Sequence, residues 1–139
     1  MCVSPRGRRP SFRFATLPDG AFNAARTADF LRQRLRELRG PVIVVWDGAG
    51  QHRGGAVRQL LCQTRRLTLV RLAPYAPELN PVEPVWSWLK YGELANFQPP
   101  DLAALDAAIV ARLAALAADP GLLRRLWARS ALSYPDRRN

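Results

Sequence analysis

The run Val42-Ile43-Val44-Val45-Trp46-Asp47 and, beyond one short connection, the run Leu67-Thr68-Leu69-Val70-Arg71-Leu72 decide the architecture of this chain. Val42 to Trp46 is continuously apolar and mostly β-branched. That is the pattern of a strand buried on both faces in the middle of an α/β sheet. The connection Arg53–Arg66 opens on a helix start at Gly54 or Gly55 and carries Val57, Leu60 and Leu61 to about Gln63. Strand, short helix and strand predict a parallel pair joined by a crossover, right-handed by the general rule for twisted sheets. Asp47 then stands at the carboxyl end of the first of these strands, with Gly48-Ala49-Gly50-Gln51-His52 as the loop behind it.

Toward the N-terminus, a helix is expected from about Thr27 to Arg39, with Thr27 as N-cap and Phe30, Leu31, Leu35 and Leu38 on one face. Gly40 and Pro41 stop it, and Arg32, Arg36 and Arg39 fall on its exposed side. Ser11 to Thr16 alternates polar and apolar residues and reads as a strand ended by the turn Pro18-Asp19-Gly20. Residues 1–10 read as a basic, unstructured leader.

Toward the C-terminus, Ala73 to Pro81 holds three prolines and is excluded from regular structure. A helix is expected to start there, with Asn80 as N-cap, Pro81 at the first position and Glu83 at the third, and with Val85, Trp86 and Leu89 on one face. Asp101 caps a long helix whose inward positions are Leu102, Leu105, Ile109, Leu113 and Leu116. Pro120 opens a last helix through Leu122, Leu123, Leu126 and Trp127, and the tail from Ser133 is expected to fray.

The chain has 139 residues and a formal net charge of +10. The charge is uneven: residues 1–66 hold thirteen Arg/Lys against four Asp/Glu, and residues 67–139 hold eight against seven. A basic half attracts a polyanion, most simply nucleic acid. Twenty of the twenty-one basic residues are Arg, which a GC-rich genome also produces, so charge alone does not decide. No apolar run is long enough to span a bilayer, and Met1 to Arg6, basic with no apolar core behind it, does not read as a signal peptide. Cys2 and Cys62 have no metal-ligand spacing, which fits a reduced, cytoplasmic setting.

Two carboxylates stand out by position: Asp47 at a strand end and Glu83 in the first turn of a helix after a rigid proline-rich loop. Ligands of open α/β sheets gather at the carboxyl ends of strands. Two such groups suit a hard cation such as Mg²⁺, which takes few protein carboxylates alongside waters and phosphates. Each residue also has a plain alternative. An Asp after a strand can close the following turn, and Asn80-Pro81-Val82-Glu83 has capping-box spacing by itself.

The string Val44-Val45-Trp46-Asp47-Gly48-Ala49-Gly50-Gln51-His52, followed by Leu69-Val70-Arg71-Leu72-Ala73-Pro74-Tyr75-Ala76-Pro77-Glu78-Leu79-Asn80-Pro81-Val82-Glu83-Pro84-Val85-Trp86, resembles the mariner-related branch of DDE transposases of bacterial insertion sequences. The resemblance covers about residues 20–97 well, and the Tyr75-to-Trp86 string is its most specific part. It implies an α/β, ribonuclease H-like mixed sheet with helices and a helical C-terminal tail. It also implies metal-dependent DNA strand cleavage and strand transfer at transposon ends, with Mg²⁺ or Mn²⁺ as cofactor. Asp47 and Glu83 match the second and third members of the acidic triad. His52 and Lys90 match a histidine and a lysine near the site, and Arg53, Arg32 and Arg36 are candidate DNA contacts. Glu78 and Glu93 rank below Glu83 as acidic ligands. Tyr75, Trp86 and Trp88 read as packing residues rather than base-stacking platforms.

Three departures from the family pattern stand out. Gly48 replaces an Asn after the aspartate, Ala76 replaces a Ser, and no carboxylate matches the first Asp of the triad. Asp19 lies in a turn and Asp29 in a helix. The expectation is therefore an incomplete catalytic domain over residues 11–132, lacking the first core strand, with a frayed tail over 133–139. Its partners would be DNA, the N-terminal half of a split transposase and, in the intact enzyme, further copies of itself. The alternative is a non-catalytic, DNA-binding or transposase-binding remnant that modulates transposition.

Overall fold

The computed structural model describes residues 10–17, 20–49 and 54–132. The expected basic leader up to residue 9, the Pro18-Asp19 turn, the loop containing His52 and Arg53, and the tail from Ser133 lie outside the described residues. The chain divides into two compact units. One spans Asp19–Ala76, and the other combines Met1–Pro18 with Pro77–Asn139.

The first unit is built on strand β1 (Val42–Trp46) and strand β2 (Leu67–Arg71), which pair in parallel with Val42 opposite Leu67 and Trp46 opposite Arg71. The ladder is closed at one end by Val42 N–H on the Arg66 carbonyl (2.7 Å). At the other end Leu72 N–H donates to the Trp46 carbonyl (2.8 Å). Helices α1 (Ala24–Glu37) and α2 (Gly55–Gln63) supply the apolar partners of the sheet. Ala28, Leu31, Val57, Leu60 and Leu67 form the buried centre, with Val42, Val44, Trp46 and Leu69 packed against it.

Burial on both faces of the sheet, expected from the unbroken apolar run, is corrected here. The strand alternates, with Val42, Val44 and Trp46 half-buried while Ile43 is 67% and Val45 45% exposed. Thr68 and Val70 of β2 are exposed as well. Successive side chains of a strand point to opposite faces, and in this sheet only one face meets α1 and α2. Among the described residues the sheet has two strands, so each strand keeps one edge without a ladder partner.

Helix α1 starts three residues earlier than expected. Its cap is Asn23, whose side chain accepts from Arg26 N–H (3.0 Å), while Thr27 lies buried inside the helix. The carboxyl end of α1 is held by a residue from another element. The Arg66 guanidinium donates to the carbonyls of Leu35 (3.1 Å), Gly40 (3.0 Å) and Leu38. The Leu35 and Leu38 carbonyls are acceptors a helix leaves unpaired at its end, and Gly40 lies in the turn beyond it. Gly40 takes φ +80°, the left-handed turn that lets the chain enter β1. Gly54 is needed for a different reason, because a Cβ there would lie 2.0 Å from the Ala24 Cβ. Glycine lets the start of α2 approach the start of α1.

The second unit is helical. It contains α3 (Glu83–Trp88), a π-turn over Leu89–Glu93, α4 (Leu102–Ala118) and α5 (Pro120–Trp127). Asp101 caps α4 by accepting from Ala104 N–H (2.7 Å), as the sequence predicts. Asp119 ends α4 and caps α5, its carboxylate accepting from Leu122 N–H (2.9 Å), with Pro120 at the first helical position. The core is Val85, Leu89, Leu113, Leu116, Leu123 and Leu126, closed by Phe12.

Three expectations change in this unit. Ser11 to Thr16 forms no strand. Instead Phe12 is buried against the helices, its ring stacked near Phe14 with centroids 6.0 Å apart. Leu102 is exposed, so the apolar stripe of α4 is used only in its later turns. Trp86 is also exposed, and it is Trp88 that packs on the core.

Gly54→Ala is expected to destabilise the chain by about 1–3 kcal/mol through overpacking, and adding Ala24→Gly is expected to restore most of that. Arg66→Ala is expected to cost about 1–2 kcal/mol, and Arg66→Lys recovers little because one ammonium cannot span three carbonyls. Urea midpoints of the purified variants check both.

Candidate functional site

Asp47 is the first residue beyond the β1–β2 ladder. Its Oδ1 accepts from Ala49 N–H (3.0 Å), so the side chain folds back on its own loop. That is the plain turn-closing role expected of an Asp after a strand, and it is compatible with an exposed carboxylate at the strand end.

Glu83 opens α3 and is exposed. The preceding segment explains its position. Pro77–Leu79 makes one 3₁₀ turn, and Asn80 N–H donates to the Pro77 carbonyl (2.9 Å). The Asn80 Oδ1 accepts from Val82 N–H (3.1 Å), its carbonyl accepts from Glu83 N–H (3.0 Å), and its Nδ2 reaches Glu83 Oε1 (3.5 Å). Asn80 was expected to be the N-cap. It instead closes a turn over Pro81 and Val82, Val82 takes the cap position, and the helix begins at Glu83. The two bonds of a capping box are therefore not formed, and the only side-chain contact between the two residues is the long one at 3.5 Å.

Glu83 shares a cleft of about 400 Å³ with Glu78, Ser87, Arg129 and Ser130, with Pro77 and Pro84 as the remaining lining. Ser87 lies one helical turn beyond Glu83. The contribution of Arg129 and Ser130 was not legible, because only the packing of α5 brings the turn after it to this place. Ala131 N–H donates to the Glu78 carbonyl (2.7 Å), tying that turn to the proline-rich segment.

Glu93, a lower-ranked acidic candidate, pairs with Arg112 of α4 at 3.2 Å. Lys90 is exposed in the π-turn, a helix irregularity that recurs at functional sites. Arg32 pairs with Asp29 at 2.7 Å, which occupies one candidate DNA contact, and Arg36 is exposed on α1. Tyr75, read as a packing residue, is fully exposed with φ +57°, a left-handed conformation rare for a residue with a Cβ. His52 and Arg53 fall outside the described residues. Among the described residues, no group of three or more His, Cys, Asp or Glu gathers as a metal site. No described helix is long and apolar enough to cross a membrane.

A family model described as DDE superfamily endonuclease matches residues 6–106, most of the chain. The chain belongs to this superfamily. The matched span includes both Asp47 and Glu83 and stops within α4, so the last turns of α4 and all of α5 lie beyond it. Membership supports a transposase-like nuclease function with DNA as substrate, and nucleases of this superfamily generally use divalent metals. No curated protein and no solved structure matches the chain.

Asn80→Ala is expected to lower stability by about 1 kcal/mol, the usual scale for a lost hydrogen bond, here the turn-closing bond from Val82 N–H. Thermal unfolding of the purified variant checks it.

Proposed function

We propose that this chain is part of a DDE transposase catalytic domain of the mariner-related, insertion-sequence branch, with a ribonuclease H-like plan. The observation that carries the reading is the superfamily match over a span holding both a strand-end aspartate and a glutamate at a helix start. Asp47 and Glu83 serve as the second and third acidic ligands.

The donors fit a hard divalent cation in kind, being exposed carboxylates at a strand end and a helix start. They fall short in number, and Asp29, bound to Arg32 on α1, does not make up the third. The remaining ligand comes from a further polypeptide segment bearing a strand that ends in Asp. Asp47 and Glu83, with that further ligand, would hold Mg²⁺ or Mn²⁺, which would supply charge stabilisation to the attacking and leaving oxygens at phosphorus. The chain's own residues help to place the two carboxylates: Ala49 N–H restrains the Asp47 side chain, and the turn closed by Asn80 sets the backbone position of Glu83. Their substrate is the phosphodiester backbone at transposon ends, and the intact enzyme works as an oligomer.

The test is nicking of transposon-end DNA in Mg²⁺ or Mn²⁺, with and without an added segment that supplies the missing strand. Nicking is expected only with the segment. Asp47→Asn and Glu83→Gln are each expected to reduce it roughly 10²–10³-fold. If the chain instead alters transposition in cells and both variants leave that effect unchanged, the non-catalytic alternative stands and this reading fails.

A further inference from the structure

We propose that Tyr75 is a stacking platform for an unpaired base of a DNA strand passing the carboxyl end of the β1–β2 sheet, with Arg71 donating to that strand's phosphates. The proposal rests on the reading of DNA as the substrate, and it requires no metal ion.

Neither packing nor turn chemistry accounts for a tyrosine at this position. Tyr75 is fully exposed and belongs to neither hydrophobic core, whereas an aromatic ring stabilises a fold through the area it buries. Its backbone is unfavourable as well. Pro74 and Tyr75 form a turn, and Tyr75 takes φ +57° directly after the proline. A turn with proline at its first central position and a positive φ at its second selects Gly or Asn there. Among the described residues, Tyr75 is the one non-glycine with a positive φ. Strain of this kind is kept where a function needs it.

The ladder places the ring. Leu72 N–H on the Trp46 carbonyl (2.8 Å) fixes the chain three residues before Tyr75 and beside the residue that precedes Asp47. Three residues span at most about 11 Å, so Tyr75 stays at the end of the sheet where Asp47 stands, within the same compact unit. Arg71, the last residue of β2, lies opposite Trp46 in the ladder. It is exposed and forms no ion pair among the described residues.

This pairing selects the ligand. Proteins hold single-stranded nucleic acid with basic groups along the phosphates and aromatic rings against the bases. In a duplex both faces of each internal base are already covered, whereas an unpaired base has a face to offer. A tyrosine ring also loses little rotamer freedom when it is covered.

The experiment measures affinity of the full chain by anisotropy, in EDTA, for an oligothymidine carrying one 2-aminopurine and for the same strand in a blunt duplex. Quenching of the 2-aminopurine emission reports stacking separately from affinity. The wild type is expected to quench the single strand. Tyr75→Gly and Tyr75→Asn are each expected to lose about tenfold on the single strand, little on the duplex, and the quenching with it. Their urea midpoints should stay at or above that of the wild type, since both residues suit the turn. Tyr75→Phe and Tyr75→Trp should keep affinity and quenching. Arg71→Ala should weaken both DNA forms, with a salt slope smaller by about one, and should keep the quenching at saturation.

Single-strand affinity unchanged in Tyr75→Gly and Tyr75→Asn, or falling equally on the duplex, overturns the stacking role while leaving DNA as the substrate. A loss in Tyr75→Phe as large as in Tyr75→Gly assigns the effect to the hydroxyl and overturns it too. Urea midpoints lowered in both Tyr75→Gly and Tyr75→Asn give the ring a structural role, with the same consequence. A wild type that binds neither DNA form overturns the reading of DNA as the substrate and this proposal with it.

Discussion

The parallel ladder between β1 and β2 is the constraint on which the α/β unit depends. Parallel neighbours require a crossover, and here the crossover is only long enough for α2, so α2 must pack directly on the strands it joins. The ladder runs from the Arg66 carbonyl to Leu72 N–H and leaves Asp47 as the first residue outside it. Its other end is secured through Arg66, which donates to carbonyls at the end of α1 and in the turn beyond it while its own carbonyl receives Val42 N–H. One arginine thus ties the end of a helix to the start of both strands.

The helical unit follows a different logic, set by prolines and short polar side chains. Pro77, Pro81 and Pro84 remove backbone donors that would otherwise need partners. Asn80 supplies turn-closing bonds from its side chain and its carbonyl. What remains is a rigid approach to α3 with Glu83 at its first position. Asp101 and Asp119 work in the same way at α4 and α5. Local polar chemistry sets where each helix starts, and the leucines of α4 and α5, with Val85 and Leu89, set how the helices pack.

Much of this was legible because it is local. The bounds of β1, the cap at Asp101, the opening of α5 at Pro120, and the start of α2 at Gly54 or Gly55 follow from residue types and spacing alone. The misreadings share one cause, since each needed knowledge of what packs where. Val42–Trp46 is as apolar as a doubly covered strand, yet Ile43 and Val45 on one of its faces are exposed. Ser11–Thr16 alternates like a strand, but Phe12 finds a helical core to enter. Thr27 is a good cap by type, yet Asn23, four residues earlier, caps a longer helix.

By itself, the amino-acid order determined most of the elements, the superfamily, and the two acidic residues proposed to act on a metal. Each of these depends on bonds or spacings within a few neighbouring residues. Only the tertiary structure decided that a turn after α5 would place Arg129 and Ser130 in the cleft of Glu83, and that Arg66 would close α1. Those pairings join residues dozens of positions apart, and their geometry is set by the packing of leucines between them, which no local pattern encodes.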